Sequence, residues 1–133
     1  MKTSYLKSVE KDQFTLLREL VTTSSFSGDK KGVDLVGQKI IEALAETVLA
    51  VEIDHQSKVG NNLIFRSPAV NNNTTNQILL VGHMDTVFPP DNPFNSYKED
   101  DKKAYGPGVI DMKGGLVVAI FTLKALNYLG MLD

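Results

Sequence analysis

Ile78-Leu79-Leu80-Val81-Gly82-His83-Met84-Asp85-Thr86-Val87 is the stretch on which the reading of the fold turns. Its first four residues are all apolar, without the in-out alternation of a half-exposed strand. They read as a strand buried on both faces, the kind found in a layered α/β sheet. The run ends at a glycine, and polar residues follow at once. In open α/β sheets ligands bind beyond the carboxyl ends of the strands, which gives His83 a functional address. Residues two apart on an extended chain share a side, so the Asp85 carboxylate can hold one ring nitrogen of His83 and leave the other for a metal. The plainer alternative is a structural hydrogen bond, because an Asp two places after a His is a common coincidence.

Upstream of that strand, hydrophobic period supplies the map. Phe14, Leu16, Leu17, Leu20 and Val21 predict a helix over 9–22, and residues 24–28 break it. Val33, Val36, Ile40, Ile41, Leu44 and Val48 predict a second amphipathic helix from Asp29 or Lys30, with Asp29 as N-cap. Val51, Ile53 and His55 alternate with polar residues as in a half-exposed strand. His55 is read as a surface or edge residue. Val59-Gly60-Asn61-Asn62 is turn chemistry, residues 63–66 form a second short strand, and the polar run 71–76 reads as a hairpin tip.

Downstream, Pro89, Pro90 and Pro93 keep the chain irregular, and Asp100-Asp101-Lys102-Lys103 turns it into a brief strand at Ala104 and Tyr105. A closing helix over 113–129 is nearly all apolar in its early turns, as expected inside a larger layered domain, and Gly130 stops it. Between them lies Gly106-Pro107-Gly108-Val109-Ile110-Asp111-Met112-Lys113-Gly114-Gly115. Glycines in a first helical turn cost up to about 1 kcal/mol each against alanine, which suggests a close backbone approach and an Asp111 carboxylate aimed out of the turn. The competing reading of Asp111 is a helix cap. Lys113 opposes the helix dipole, but most such lysines are merely solvated, and the sequence assigns it no role.

Composition limits the function classes. At 133 residues, 42% hydrophobic and 23% charged, the chain fits one globular domain spanning 1–133. A formal net charge of −2 supplies no basic field, so nucleic acid is not an expected partner. Cysteine is absent, so any metal would be held by nitrogen and oxygen. The first residues lack the apolar core of a signal peptide, and no apolar run is long enough to span a membrane. A cytoplasmic location is the expectation, in which the Asn-x-Thr triplets at Asn72 and Asn73 carry no meaning.

Taken together, Gly82-His83-Met84-Asp85-Thr86-Val87 and Ala104-Tyr105-Gly106-Pro107-Gly108-Val109-Ile110-Asp111-Met112-Lys113-Gly114-Gly115 resemble the zinc-dependent metallopeptidase family of glutamate carboxypeptidase, acetylornithine deacetylase, succinyl-diaminopimelate desuccinylase and aminoacylase. The glutamate carboxypeptidase branch is the nearest. The likeness extends to Ser27-Gly28-Asp29-Lys30-Lys31-Gly32 and to Asn61-Asn62-Leu63. It implies an α/β, zinc exopeptidase-like catalytic domain with a partial doubly wound sheet and helices packed on a mixed sheet. It further implies His83 as ligand of one zinc, Asp85 as the acid that orients it, and Asp111 as the carboxylate bridging two zinc ions. Cobalt or manganese would suit the same donors. The bond after the bridging Asp is often cis in this family. The implied reaction cleaves a C-terminal amino acid from a peptide or N-acyl amino acid by a metal-activated water.

The family also uses a downstream Glu-Glu pair, another acidic residue, a distant His and an inserted lid and dimerisation domain. After Asp111 the chain has no Glu and no His, and Asp133 is its remaining Asp. The expectation is therefore the N-terminal part of a catalytic domain, lacking its general base and nearly inactive alone. Its unfinished sheet would leave an edge open to pairing with another copy. The alternative is a metal-free interaction module that keeps the fold without the chemistry.

Overall fold

The computed structural model describes residues 2–68 and 77–132, so the expected hairpin tip over 71–76 lies outside the described residues. Among the described residues, four α-helices and two small antiparallel sheets make the chain α/β, as the sequence predicts. The helices are α1 (Lys2–Ser8), α2 (Glu10–Thr22), α3 (Lys30–Leu44) and α4 (Gly114–Tyr128). Strands β1 (Ala50–Asp54) and β2 (Asn62–Arg66) pair in one sheet, with Ala50 opposite Arg66 and Asp54 opposite Asn62; β3 (Lys98–Glu99) and β4 (Ala104–Tyr105) pair in the other.

Three helices build the core. Leu16, Leu17, Leu20 and Val21 of α2 meet Val36, Ile40 and Leu44 of α3 and Val117, Ile120 and Phe121 of α4. Each set follows three- and four-residue steps, which place the side chains on one stripe. Burial of such side chains contributes about 1.5–3 kcal/mol apiece. Asp29 caps α3 as expected, accepting the Lys31 N–H at 3.1 Å. Phe14 lies outside the stripe and is exposed. Val48 is also exposed, because α3 ends at Leu44, where the Thr47 hydroxyl takes the Leu44 carbonyl at 2.7 Å. Helix α1 was not expected, since its residues carry no apolar period; Tyr5 ties it to the end of α4 by stacking on Tyr128 at 4.7 Å.

Helix α4 stops as the sequence indicates. Gly130 takes φ 62°, its N–H reaches Asn127 O, and the Met131 N–H reaches Leu126 O. Only the inner face of α4 is covered, however, and Val118 is exposed. Strand β1 likewise lacks the buried face expected for Val51 and Ile53, whereas Leu63 and Phe65 of β2 pack against the helical core.

The largest departure is the apolar run at 78–81. It pairs with no strand among the described residues, and Ile78, Leu79, Leu80 and Val81 are 91, 84, 55 and 81% exposed. Continuous apolarity reports what an environment would favour; no element of the described residues packs over this run. The sheet hydrogen bonding of this region is instead a parallel bridge between Phe26 and Thr86, one step beyond the His83–Asp85 pair.

Candidate metal centre

The chain leaving α2 organises the first motif. The Thr86 N–H donates to Ser25 O at 2.8 Å, and the Ser27 N–H donates to Thr86 O at 2.9 Å. That pairing puts the Ser27 hydroxyl 2.5 Å from Asp85 Oδ2, to which it donates. Asp85 Oδ1 then lies 3.2 Å from His83 Nδ1, and the Asp85 carbonyl lies 3.1 Å from the same nitrogen. Nδ1 is thus committed, and Nε2 points elsewhere.

The second motif is a wide turn, Val109–Lys113, that opens into α4. Asp111 (φ −128°, ψ 94°) and Met112 (φ −134°, ψ 34°) leave helical geometry, and the peptide bond between them is cis. Gly108 precedes the turn at φ 76°, in the left-handed region that glycine enters without steric cost. A Cβ there would stand 2.7 Å from Thr86 Cγ2, so the two motifs touch at this point. The Met112 sulfur also accepts the His83 N–H at 3.4 Å. The close approach expected of Gly114 is made inside the turn, against the Val109 carbonyl.

These contacts bring His83 Nε2 to 2.8 Å from Asp111 Oδ1, across 28 residues of sequence. Asp111 does not cap α4: the N-cap position is Lys113, with no side-chain cap bond. The His83 pKa is raised, chiefly by its bond to Asp111, with the Asp85 carbonyl and both carboxylate charges adding to this and desolvation opposing it. Asp85 is held below the usual carboxylate range, first by the Ser27 hydroxyl and against the opposing effect of burial. Asp111 stays 84% exposed, open to an incoming ligand. His55 is on the surface, as expected.

Two residues at the centre escaped the sequence reading. Ser27 looked like part of a helix break, and nothing local marks its hydroxyl as a partner for Asp85. Lys113 looked like a solvated cation but is 1% exposed, and burial pulls its pKa down to about 8. Its Nζ donates to Leu20 O at 2.6 Å and Thr23 O at 3.0 Å. Beside it, Ser25, whose hydroxyl is buried without a hydrogen-bond partner among the described residues, lines a cavity of about 260 Å³ with Thr86, Phe88, Phe94, Pro107 and Lys113.

An imidazole nitrogen and a carboxylate oxygen converging at hydrogen-bond distance are suitable donors for a divalent cation, and both would turn from each other to it. Among the described residues no group of three His, Cys, Asp or Glu gathers as a ready cluster. The donors present fit one edge of a metal site.

An α/β chain that sets a carboxylate-oriented histidine against a second carboxylate brings together the donors of a candidate metal centre. The model of peptidase family M20/M25/M40 matches residues 79–132, which hold both motifs. Carboxypeptidase G2 of Pseudomonas sp. (strain RS-16) is 30% identical over 120 residues, covering 88% of this chain and 28% of that protein. Succinyl-diaminopimelate desuccinylase of Corynebacterium glutamicum is 33% identical over 116 residues, 86% of this chain and 28% of the relative. Acetylornithine deacetylase of Salmonella arizonae is 30% identical over 129 residues, 92% and 33% respectively. The chain is similar to this peptidase family over its second half, and it spans about a third of the length of the curated relatives it matches.

Proposed function

We propose that the chain carries part of a zinc hydrolase centre that removes a C-terminal amino acid from a peptide or N-acyl amino acid. His83 Nε2 and Asp111 would hold the metal, Asp111 as the carboxylate able to serve two ions, and Asp85 would orient His83. When bound, the metal supplies a Lewis acid and lowers the pKa of water toward neutrality. Cobalt or manganese would be accepted by the same donors. The observation that carries this reading is the 2.8 Å approach of His83 Nε2 to Asp111 Oδ1 while Asp85 occupies Nδ1. The role of the chain's own residues is to keep the imidazole in one tautomer and to present a carboxylate without a competing cap.

Two donors fall short of the roughly three protein ligands that hold a hydrolytic zinc. The 133-residue chain alone is therefore expected to bind zinc weakly and to turn over N-acyl amino acids slowly. A general base typically contributes about 10²–10⁴-fold in rate to such a centre. Zinc titration of the chain beside His83→Ala and Asp111→Ala tests the assignment: each substitution should abolish binding, and indifference to both would remove the metal reading. The exposed apolar run at 78–81 favours a second reading, a metal-free interaction module whose open edge pairs with another copy. That reading expects a concentration-dependent dimer in sedimentation and no response to zinc. No helix among the described residues is long and apolar enough to cross a membrane, and we place the protein in the cytoplasm.

A further inference from the structure

A lysine with 1% exposure needs a reason, because burying an ammonium is costly unless its protons find partners. No carboxylate is bonded to Lys113 among the described residues; its Nζ donates instead to Leu20 O and Thr23 O. Leu20 lies in the last turn of α2, and Thr23 is its C-cap. Carbonyls at that end have no intrahelical donor and carry the negative end of the helix dipole. Lys113 thus caps a helix 90 residues or more before it in sequence.

The other end of the same residue closes the turn that presents Asp111. The Lys113 backbone N–H donates to Gly108 O at 2.6 Å, and its side-chain stem runs beside Gly108 where that residue meets Thr86. The α2 exit that receives the ammonium also holds the histidine motif, through Ser25 and Ser27 to Thr86 and through Ser27 to Asp85. Both motifs are therefore referenced to one short segment, residues 23–27, and Lys113 is the link from the Asp111 side.

We infer that Lys113 is a positioning residue of the metal centre: its ammonium, seated on the terminal carbonyls of α2, sets the register of Asp111 against His83. This rests on the reading of His83 and Asp111 as ligands. Its role is separable from general packing, because the charge and the stem can be exchanged independently. The chain contains no cysteine, so Lys113→Cys introduces a single thiol. Alkylation of that thiol in denaturant with 2-bromoethylamine and refolding gives an ammonium side chain of lysine length; 1-bromopropane gives a neutral one of matching length. Wild-type chain taken through the same refolding is the reference.

Zinc affinity is read by chelator competition, and helix content by far-ultraviolet circular dichroism at the same temperature. The aminoethylated protein should bind zinc within about threefold of wild type. The propylated protein should bind about 10–100-fold more weakly at equal helix content, the usual effect of losing a group that orients a ligand. Equal affinity in the two alkylated forms overturns the inference. So does a propylated form whose helix content falls in step with its zinc binding, which would make Lys113 a matter of global stability. Refolded wild-type chain that ignores zinc, or binds it equally after His83→Ala, overturns the metal reading itself and this inference with it.

Discussion

Gly108→Ala is the perturbation that most directly tests whether the two motifs are built against each other. Gly108 sits at φ 76°, and an L-residue in the left-handed region costs roughly 1–2 kcal/mol. The new methyl would also meet Thr86 Cγ2 at 2.7 Å and Lys113 Cγ and Cδ at 3.3 Å, so that the neighbouring side chains or the turn must shift. Overpacking of this kind adds about 1–3 kcal/mol. The expected loss is roughly 2–5 kcal/mol. Gly130→Ala supplies the internal control, since Gly130 has φ 62° but nothing within 4 Å of a Cβ, and its loss should stay near about 1 kcal/mol. Urea unfolding followed by circular dichroism measures both, and an unchanged slope with a shifted midpoint marks a pure stability change. If Gly108→Ala costs no more than Gly130→Ala, Thr86 does not press on the Asp111 turn and the abutment of the two motifs is wrong.

Ser27→Ala removes the hydroxyl that chiefly depresses Asp85, so the Asp85 carboxyl should titrate higher by nuclear magnetic resonance; because Asp85 is 39% exposed, the loss of stability should be under about 1 kcal/mol. The raised His83 pKa, due first to Asp111, means that pairing stabilises the metal-free chain fully below the unfolded value near 6.5 and that this support fades as pH rises through the folded value. Asp111→Asn should bring the His83 titration down toward its ordinary range, and an unmoved titration would contradict the contact. Leu79→Lys, at a residue 84% exposed, should change stability by no more than about 0.5 kcal/mol; a loss above about 2 kcal/mol would show that 78–81 is covered in solution, as self-association would cover it.

What the sequence disclosed was local. The period of α3 with its Asp29 cap, the glycine stop after α4 and the two-residue spacing of His83 and Asp85 are all set by neighbours within a few positions, and the structure contains them. The convergence of Asp111 on His83 was foreseen from residue chemistry and family likeness, not from any period. What escaped was held by partners far along the chain: Ser27 reaches Asp85 across 58 residues, and Lys113 reaches Leu20 across 93. A serine in a helix break and a lysine in a first turn each have an ordinary surface reading, and only tertiary contact distinguishes them. The run at 78–81 failed in the opposite direction, because burial on both faces needs covering elements that a run of apolar residues cannot itself specify.

The two carboxylates beside His83 are unequal, and the inequality assigns their parts. Asp85 is fastened on one oxygen by Ser27 and faces His83 with the other, and the Ser27 hydroxyl holds its pKa below the usual carboxylate range. A carboxylate so engaged is suited to fixing a tautomer and poorly placed to change partners. Asp111 has one contact among the described residues, His83 Nε2, and is 84% exposed, so its Oδ2 carries no competing bond. Exchange of the proton between Nε2 and Asp111 Oδ1 for a cation would break one hydrogen bond and strand no buried group, whereas at Nδ1 the same exchange would also have to displace the Asp85 carbonyl, 3.1 Å from that nitrogen. On the proposed reading the metal would face the Asp111 side of the imidazole, and the pH at which zinc competes successfully should follow the His83 titration rather than that of Asp85.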